Sequence, residues 1–291
     1  MKIIGYLFLA LTLASCEKEL SLDKTQFEKK LVLNCIIAKD SLIQGKLSQS
    51  VGLLSVPSLN SLSGSMNIVL KRNGILLYSD AAILDSGRFS LPYIAKVNSE
   101  YELQVVFGDF PAVKAKDLVP ANSLVVEMDT IIEQSVSYRL KFSLKDPPGS
   151  HKYLLQLSSQ GKQLVENDSL DTQIPTDFTS SDKVFLSTLR TVILDNSYSL
   201  FDDALFEGQK KGFELVIPKD QFTVNSFKPQ RIVLRLSCIS ENMFSYYKSI
   251  LENTHIYGGP LANGFGQYSN VDQGLGIFSF YTFTQKEIPL R

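Results

Sequence analysis

Residues 66–79 read Met-Asn-Ile-Val-Leu-Lys-Arg-Asn-Gly-Ile-Leu-Leu-Tyr-Ser. Two strand-length runs, 66–72 and 75–79, flank the dipeptide Asn73-Gly74. Asn-Gly accepts the positive φ angles of a type I′ turn, whose twist matches that of two antiparallel strands. The stretch therefore predicts a β-hairpin.

Short strands separated by turn residues continue on both sides of this hairpin. Asp85-Ser-Gly87 predicts a turn, and further strands are predicted up to Pro120. Strands at such intervals are typical of an all-β sandwich, which we place at residues 31–121. The other strand-like runs of this first unit are 88–91, 101–107 and 113–118.

A second β-rich domain is predicted at residues 122–291. Its β-branched and aromatic runs have strand length. One amphipathic helix is predicted near 240–253: Ser240 can cap it, and apolar residues recur at steps of three and four from Met243 to Leu251. The strand-like runs of this domain are 124–132, 138–144, 153–157, 213–217 and 232–239.

The first 30 residues have the pattern of a bacterial lipoprotein leader. Lys2 precedes an apolar run that ends in Leu13-Ala-Ser-Cys16. Residues 1–15 are interpreted as a signal peptide, because the run is too short to span a bilayer. Lipidation of Cys16 would anchor the chain, and polar residues 16–30 would form a tether.

Composition and single residues exclude several kinds of chemistry. Lys plus Arg number 29 against 30 Asp plus Glu, which is unlike a nucleic-acid binder. Cys35 and Cys238 lie in apolar runs and are interpreted as two buried thiols, although an oxidising compartment permits a disulfide. His151 and His255 are far apart in sequence, so a transition-metal site would need ligands gathered from scattered positions. We predict no metal, no cofactor and no catalytic residue.

A glycine-punctuated loop at 258–276 is the least ordinary segment. It lacks the third glycine of a dinucleotide fingerprint, and a loop this long is either functional or closed by its own packing. Both alternatives stay open. The candidate ligand or partner contacts are Phe265, Tyr268, Asn270, Asp272 and Leu275.

A second candidate is the acidic group Asp202, Asp203 and Glu207. Three carboxylates could hold a calcium ion. Asp202 and Asp203 point in opposite directions in an extended segment, and no EF-hand spacing surrounds them. A solvated turn or helix start is the favoured interpretation.

Several segments resemble, in order, the lipoprotein family known as domain of unknown function 4249. The most specific is Tyr268 to Phe278, which is similar to the family pattern Ser-Asn-x-x-x-Gly-x-Gly-x-Phe. Cys35 stands where the family is expected to have glycine, and 254–261 lacks the usual proline- and phenylalanine-rich approach. The other similar segments are the charged start after Cys16, 30–34, 40–43, 201–208 and the helix 240–251.

The resemblance implies an outer-membrane lipoprotein facing the cell surface, commonly encoded beside a TonB-dependent receptor. It also implies an immunoglobulin-like or carboxypeptidase-regulatory-like sandwich ahead of a second β-rich region, with no established catalytic residues. We therefore expect a non-catalytic accessory or ligand-capturing subunit of such a receptor, serving nutrient uptake. The alternatives are a surface glycan- or peptide-processing hydrolase, because paired carboxylates need no sequence motif, and a purely structural envelope lipoprotein.

Overall fold

A computed structural model shows a mostly β-stranded protein, as the sequence predicts. The residues that the structure describes are 28–51, 62–121, 124–165, 168–185, 187–190, 197–224, 226–256 and 267–290. The leader and Cys16 lie outside these residues.

The strands and helices of the described residues fall into three sheets and two helices. The strands are β1 (Leu31–Ala38), β2 (Leu42–Gln49), β3 (Gly64–Arg72), β4 (Ile75–Leu84), β5 (Arg88–Ile94), β6 (Glu100–Val106), β7 (Val113–Leu118), β8 (Val125–Glu133), β9 (Ser137–Lys145), β10 (Lys152–Val165), β11 (Asp168–Pro175), β12 (Ser187–Arg190), β13 (Ser197–Asp202), β14 (Lys210–Pro218), β15 (Phe227–Ile239), β16 (Val271–Asp272) and β17 (Leu275–Pro289). The helices are α1 (Asp220–Val224) and α2 (Glu241–Ile256).

The hairpin at 66–79 is confirmed. Asn73 and Gly74 have φ angles of 49° and 78°, and they join β3 to β4. The turn at Ser86 and Gly87 has positive φ at both residues as well, and it joins β4 to β5. The Asn73-Gly74 turn therefore sets the register of β3 and β4, whereas the second turn carries the chain from one sheet to the other.

The first hydrophobic core lies between two sheets. One is the five-stranded sheet β16-β7-β6-β3-β4, and the other is the end of a nine-stranded sheet that contains β1, β2 and β5. Alternate residues of each strand point inward, as Leu31, Leu33 and Cys35 do in β1. Ile68 and Leu103 meet them from the opposite sheet.

The second core lies between the three-stranded sheet β14-β9-β8 and the strands β10 and β15 of the large sheet. Phenylalanines fill much of it, and the rings of Phe142 and Phe213 stack with centroids 5.1 Å apart. On the other face of the large sheet, α2 packs Met243, Phe244 and Leu251 against Leu154.

The last strand connects the two cores. The first half of β17 pairs in parallel with β1, and its second half pairs antiparallel with β15. Phe278 and Phe280 belong to the first core, and Ile288 packs against the second. A single sheet, in the order β12-β13-β10-β15-β17-β1-β2-β5, thus runs through both units, with β11 paired to β10.

The helix near 240–253 is confirmed as α2. Its first turn is capped as predicted, because the Met243 amide donates to Ser240 Oγ at 3.2 Å. The five-residue helix α1 and the strands β11 to β13 are not among the elements predicted from sequence.

Candidate functional site

Side chains of the segment from Tyr268 to Phe278 form hydrogen bonds with the backbone at one edge of β17. β15 ends at Ile239, so it pairs with β17 only from Tyr281 onward. Among the described residues, the first half of β17 therefore has no neighbouring strand on that side for its amide and carbonyl groups. Buried backbone groups need hydrogen-bond partners, and side chains supply them here.

Asn270 supplies two of these partners. Its Nδ2 donates to the Phe278 carbonyl at 2.8 Å, and its Oδ1 accepts from the Phe278 amide at 3.0 Å. Nδ2 also contacts the Lys116 carbonyl at 3.2 Å. The side-chain amide thus replaces one residue of a missing strand, and these contacts use both of its polar atoms.

The two glycines of the motif allow β17 to approach β1. A Cβ on Gly276 would lie 2.2 Å from the Leu33 carbonyl oxygen, and its φ of +108° is a region that side chains disfavour. A Cβ on Gly274 would lie 2.7 Å from Val113 Cγ1 and 2.9 Å from the Leu31 oxygen. The spacing of the motif is therefore explained by strand packing.

Asp117 and Ser240 complete the same edge. Asp117 Oδ2 accepts from the Phe280 amide at 3.1 Å, and the Ser240 amide donates to the Phe280 carbonyl at 3.1 Å. Asn242 Nδ2 donates to Asp117 Oδ1 at 2.8 Å. Burial raises the pKa of Asp117 to about 6, against the opposing effect of its hydrogen bonds to Ser240 and Asn242.

The five candidates of the loop have different surroundings. The Tyr268 hydroxyl donates to Asn242 Oδ1 at 2.6 Å, and burial raises the Tyr268 pKa. Asp272 is exposed in β16, and Leu275 is 41% exposed at the start of β17. Phe265 lies outside the described residues. The structure thus brings Tyr268 and Asn270 to the junction of α2 and β17, and leaves Asp272 and Leu275 at the surface.

A second polar cluster joins residues from two parts of the chain that are distant in sequence. Asp146 follows β9, His151 precedes β10, and Asp203 follows β13. One ligand atom from each of the three lies within 4.8 Å of the others. Pairing of β10 with β13 brings Asp203 to the turn between β9 and β10, because Lys152 and Asp202 are partners in that ladder.

The contacts of this cluster are specific. Tyr153 donates its hydroxyl proton to Asp146 Oδ1, and the Gly208 amide donates to Asp146 Oδ2 at 2.8 Å. Asp203 Oδ2 accepts from the His151 amide at 2.7 Å and lies 3.2 Å from His151 Nδ1. Burial is the main cause that raises the Asp203 pKa, and the Asp146 charge adds to it.

The acidic group predicted at Asp202, Asp203 and Glu207 is not brought together as a trio. Asp203 is 2% exposed and turns inward, whereas Asp202 Oδ2 pairs with Lys152 Nζ at 3.4 Å. Glu207 is exposed. Sequence reasoning found Asp203 but not its partners, because His151 and Asp146 adjoin it only through the pairing of β10 and β13.

Both cysteines are buried free thiols, as the sequence predicts. Burial raises the pKa of Cys35 well above its ordinary range, and it raises that of Cys238 to about 12. The side chain of His255 is not among those the structure describes.

The chain resembles one known protein family over most of its length. A family model described as a domain of unknown function, DUF4249, matches residues 17–287. The chain belongs to the DUF4249 family. This confirms the resemblance carried by the segment from Tyr268 to Phe278, which in this DUF4249 protein closes a strand edge.

A solved structure is also similar to this chain, at low sequence identity. A crystal structure of a candidate carbohydrate-binding protein from Bacteroides uniformis is similar at 11% identity, covering 72% of this DUF4249 chain and 89% of that chain, with a TM-score of 0.23. An identity and a score this low do not indicate a shared ligand. No curated protein matches the chain.

Neither of the described helices is both long and apolar enough to cross a membrane.

Proposed function

We propose that this DUF4249 protein is a surface lipoprotein, anchored through Cys16, that works as a non-catalytic accessory subunit of a TonB-dependent outer-membrane receptor. The leader pattern supports the anchor, because its apolar run ends at a cysteine after two small residues. The genomic setting common to the family supports the choice of partner.

The observation that carries the proposal is a sheet face of the first unit that bears exposed aliphatic side chains in the described part of the chain. We call it the open face and define it by the outward side chains of β1, β2 and β5. Ile36, Leu42 and Ile94 are 40%, 45% and 43% exposed on this face. Leu42 and Ile94 are direct partners in the β2–β5 ladder.

A groove lies beside these aliphatic side chains. Its volume is about 320 Å³, and Lys46 and Arg88 contribute cationic groups to its lining. Single exposed aliphatic residues are common on protein surfaces, but adjacent ones rimmed by polar groups are typical of interaction sites. A groove of mixed apolar and cationic character suits an acidic, partly apolar segment of a partner protein.

The test is co-purification of the lipidated protein from membranes in mild detergent, followed by mass spectrometry. We expect a stoichiometric β-barrel receptor with the wild-type protein, and loss of that receptor from the Ile94→Lys and Leu42→Lys variants. Leu164→Lys is the matched control, because Leu164 is 64% exposed on β10, outside the open face. We expect this control to retain the receptor.

The alternatives predict different results. Recovery of the wild-type protein alone would overturn the accessory role and direct attention to glycan hydrolysis by the soluble domain. Retention of the receptor by all three lysine variants would overturn the assignment of the open face.

A further inference from the structure

The buried cluster beneath the turn between β9 and β10 combines the donor types of a metal site. Asp146 and Asp203 are 3% and 2% exposed, and the His151 side chain is 17% exposed. Carboxylate oxygens together with an imidazole nitrogen bind first-row transition cations. Asp146 and His151 lie on the two sides of one turn, and the pairing of β10 with β13 brings Asp203 to them.

The charge balance of the cluster is incomplete. Among the residues that the structure describes, neither Asp146 nor Asp203 forms an ion pair with a lysine or an arginine, and His151 is the basic group that contacts Asp203. A buried carboxylate normally needs a cationic partner, because transfer of its charge out of water is costly. A bound divalent cation would supply the missing charge.

A buried cysteine lies on a strand next to the cluster. Cys238 is 3% exposed and is a free thiol. It lies opposite Tyr153 in the β10–β15 ladder, so both side chains are on the same face of the sheet. Its Sγ is not one of the ligand atoms that lie within 4.8 Å of one another, so Cys238 is not counted among the ligands.

The contacts around the cluster match the surroundings that metal ligands need. Tyr153 and the Gly208 amide fix the two oxygens of Asp146, and the His151 amide fixes Asp203. Such hydrogen bonds orient ligating carboxylates while leaving lone pairs free. The partial exposure of His151 gives an ion a route from solvent.

We propose that Asp146, His151 and Asp203 form a binding site for a divalent transition cation, with Zn²⁺ as the best-fitting ion. This site goes beyond the accessory role and does not depend on it. The ligand atoms lie within 4.8 Å of one another. The widest of these separations would have to shorten by up to about 1.4 Å to reach the ~3.4 Å between ligands around a tetrahedral zinc ion.

Calcium fits the same site less well. Ca²⁺ takes six to eight oxygen ligands, whereas this cluster offers two carboxylates and one imidazole. The chemistry of the donors therefore predicts selectivity for zinc over calcium.

The test is isothermal titration of the metal-free full chain with zinc chloride, and separately with calcium chloride. We expect one zinc site, with binding weakened about 100-fold or more in His151→Ala and in Asp203→Asn. Asp202→Asn is the matched control: Asp202 is the neighbouring residue but pairs with Lys152, so zinc affinity should stay unchanged.

Two further measurements cover variants that fold poorly. Zinc should raise the melting temperature of the wild-type protein and of Asp202→Asn, but not that of His151→Ala, because only a ligand bound to the folded state stabilises it. Cobalt should give a visible absorption band that His151→Ala lacks. Equal zinc affinity in wild type and His151→Ala, or calcium binding as tight as zinc binding, would overturn the proposal.

Discussion

Replacement of Asn270 by alanine separates a structural role of the motif from a binding role. The substitution removes both hydrogen bonds to the Phe278 backbone and the contact with the Lys116 carbonyl. Phe278 is fully buried, so its amide and carbonyl would lose their partners on that edge. An unsatisfied buried group costs about 1–3 kcal/mol.

Because Asn270 itself is half-buried, water can reach part of the vacated space, and we expect a loss of about 3 kcal/mol for the two groups together. This is a large fraction of the ~5–15 kcal/mol by which domains are stable. Urea unfolding of the full chain measures it. With a slope of about 3 kcal/mol per molar urea, the midpoint should fall by about 1 M at an unchanged slope.

Asp272→Ala is the matched control. Asp272 comes from the same motif but is exposed, so its replacement should change the free energy of unfolding by less than about 0.5 kcal/mol. A loss below about 1 kcal/mol for Asn270→Ala, or an equal loss for both variants, would refute the strand-edge reasoning. In that case Asn270 would return as a candidate ligand contact.

Three further predictions concern the same region. Gly276→Ala should destabilise the protein by more than about 2 kcal/mol in urea unfolding, because the new Cβ would meet the Leu33 carbonyl at 2.2 Å in a positive-φ backbone; wild-type stability would contradict this. Ser240→Ala should cost about 1 kcal/mol through loss of the α2 cap, measured by the same assay. The pKa of Asp117 is raised from 3.8 to about 6 in the folded state, so the folded state binds this proton more tightly than the unfolded state. The contribution of Asp117 to the free energy of unfolding is therefore complete below pH 3.8 and falls by about 3 kcal/mol as pH rises through 6. Asp117→Asn should remove this part of the pH dependence of stability, and an unchanged profile would contradict it.

Local chemistry explains which parts of the fold could be predicted from sequence. The Asn73-Gly74 turn and the Ser240 cap act on residues a few positions away, so their patterns are visible in a short window. The pairing of β1 with β17 joins residues more than 240 positions apart, and no local pattern encodes it. The same applies to α1, whose five residues are too few to show a helical period.

The candidate sites show the same division. Asp203 stands out in sequence within an acidic run, but its contacts with Asp146 and His151 depend on the β10–β13 ladder. Glu207 belongs to the same acidic run as Asp203 but is exposed. Sequence distance is therefore a poor guide to ligand sets in a protein whose strands pair over long separations.

The segment from Tyr268 to Phe278 is thus explained by strand packing. Function should therefore be sought elsewhere in the molecule. Gly274, Gly276 and Asn270 are each accounted for by the approach of β17 to β1 or by the free edge of β17. Residues already committed to backbone contacts have few polar atoms left for a ligand. Groups with spare binding capacity lie elsewhere: the carboxylates and imidazole of the buried cluster, and the side chains of the open face. Neither of these places takes part in the closure of β17, so substitutions there can change binding without disturbing the strand packing.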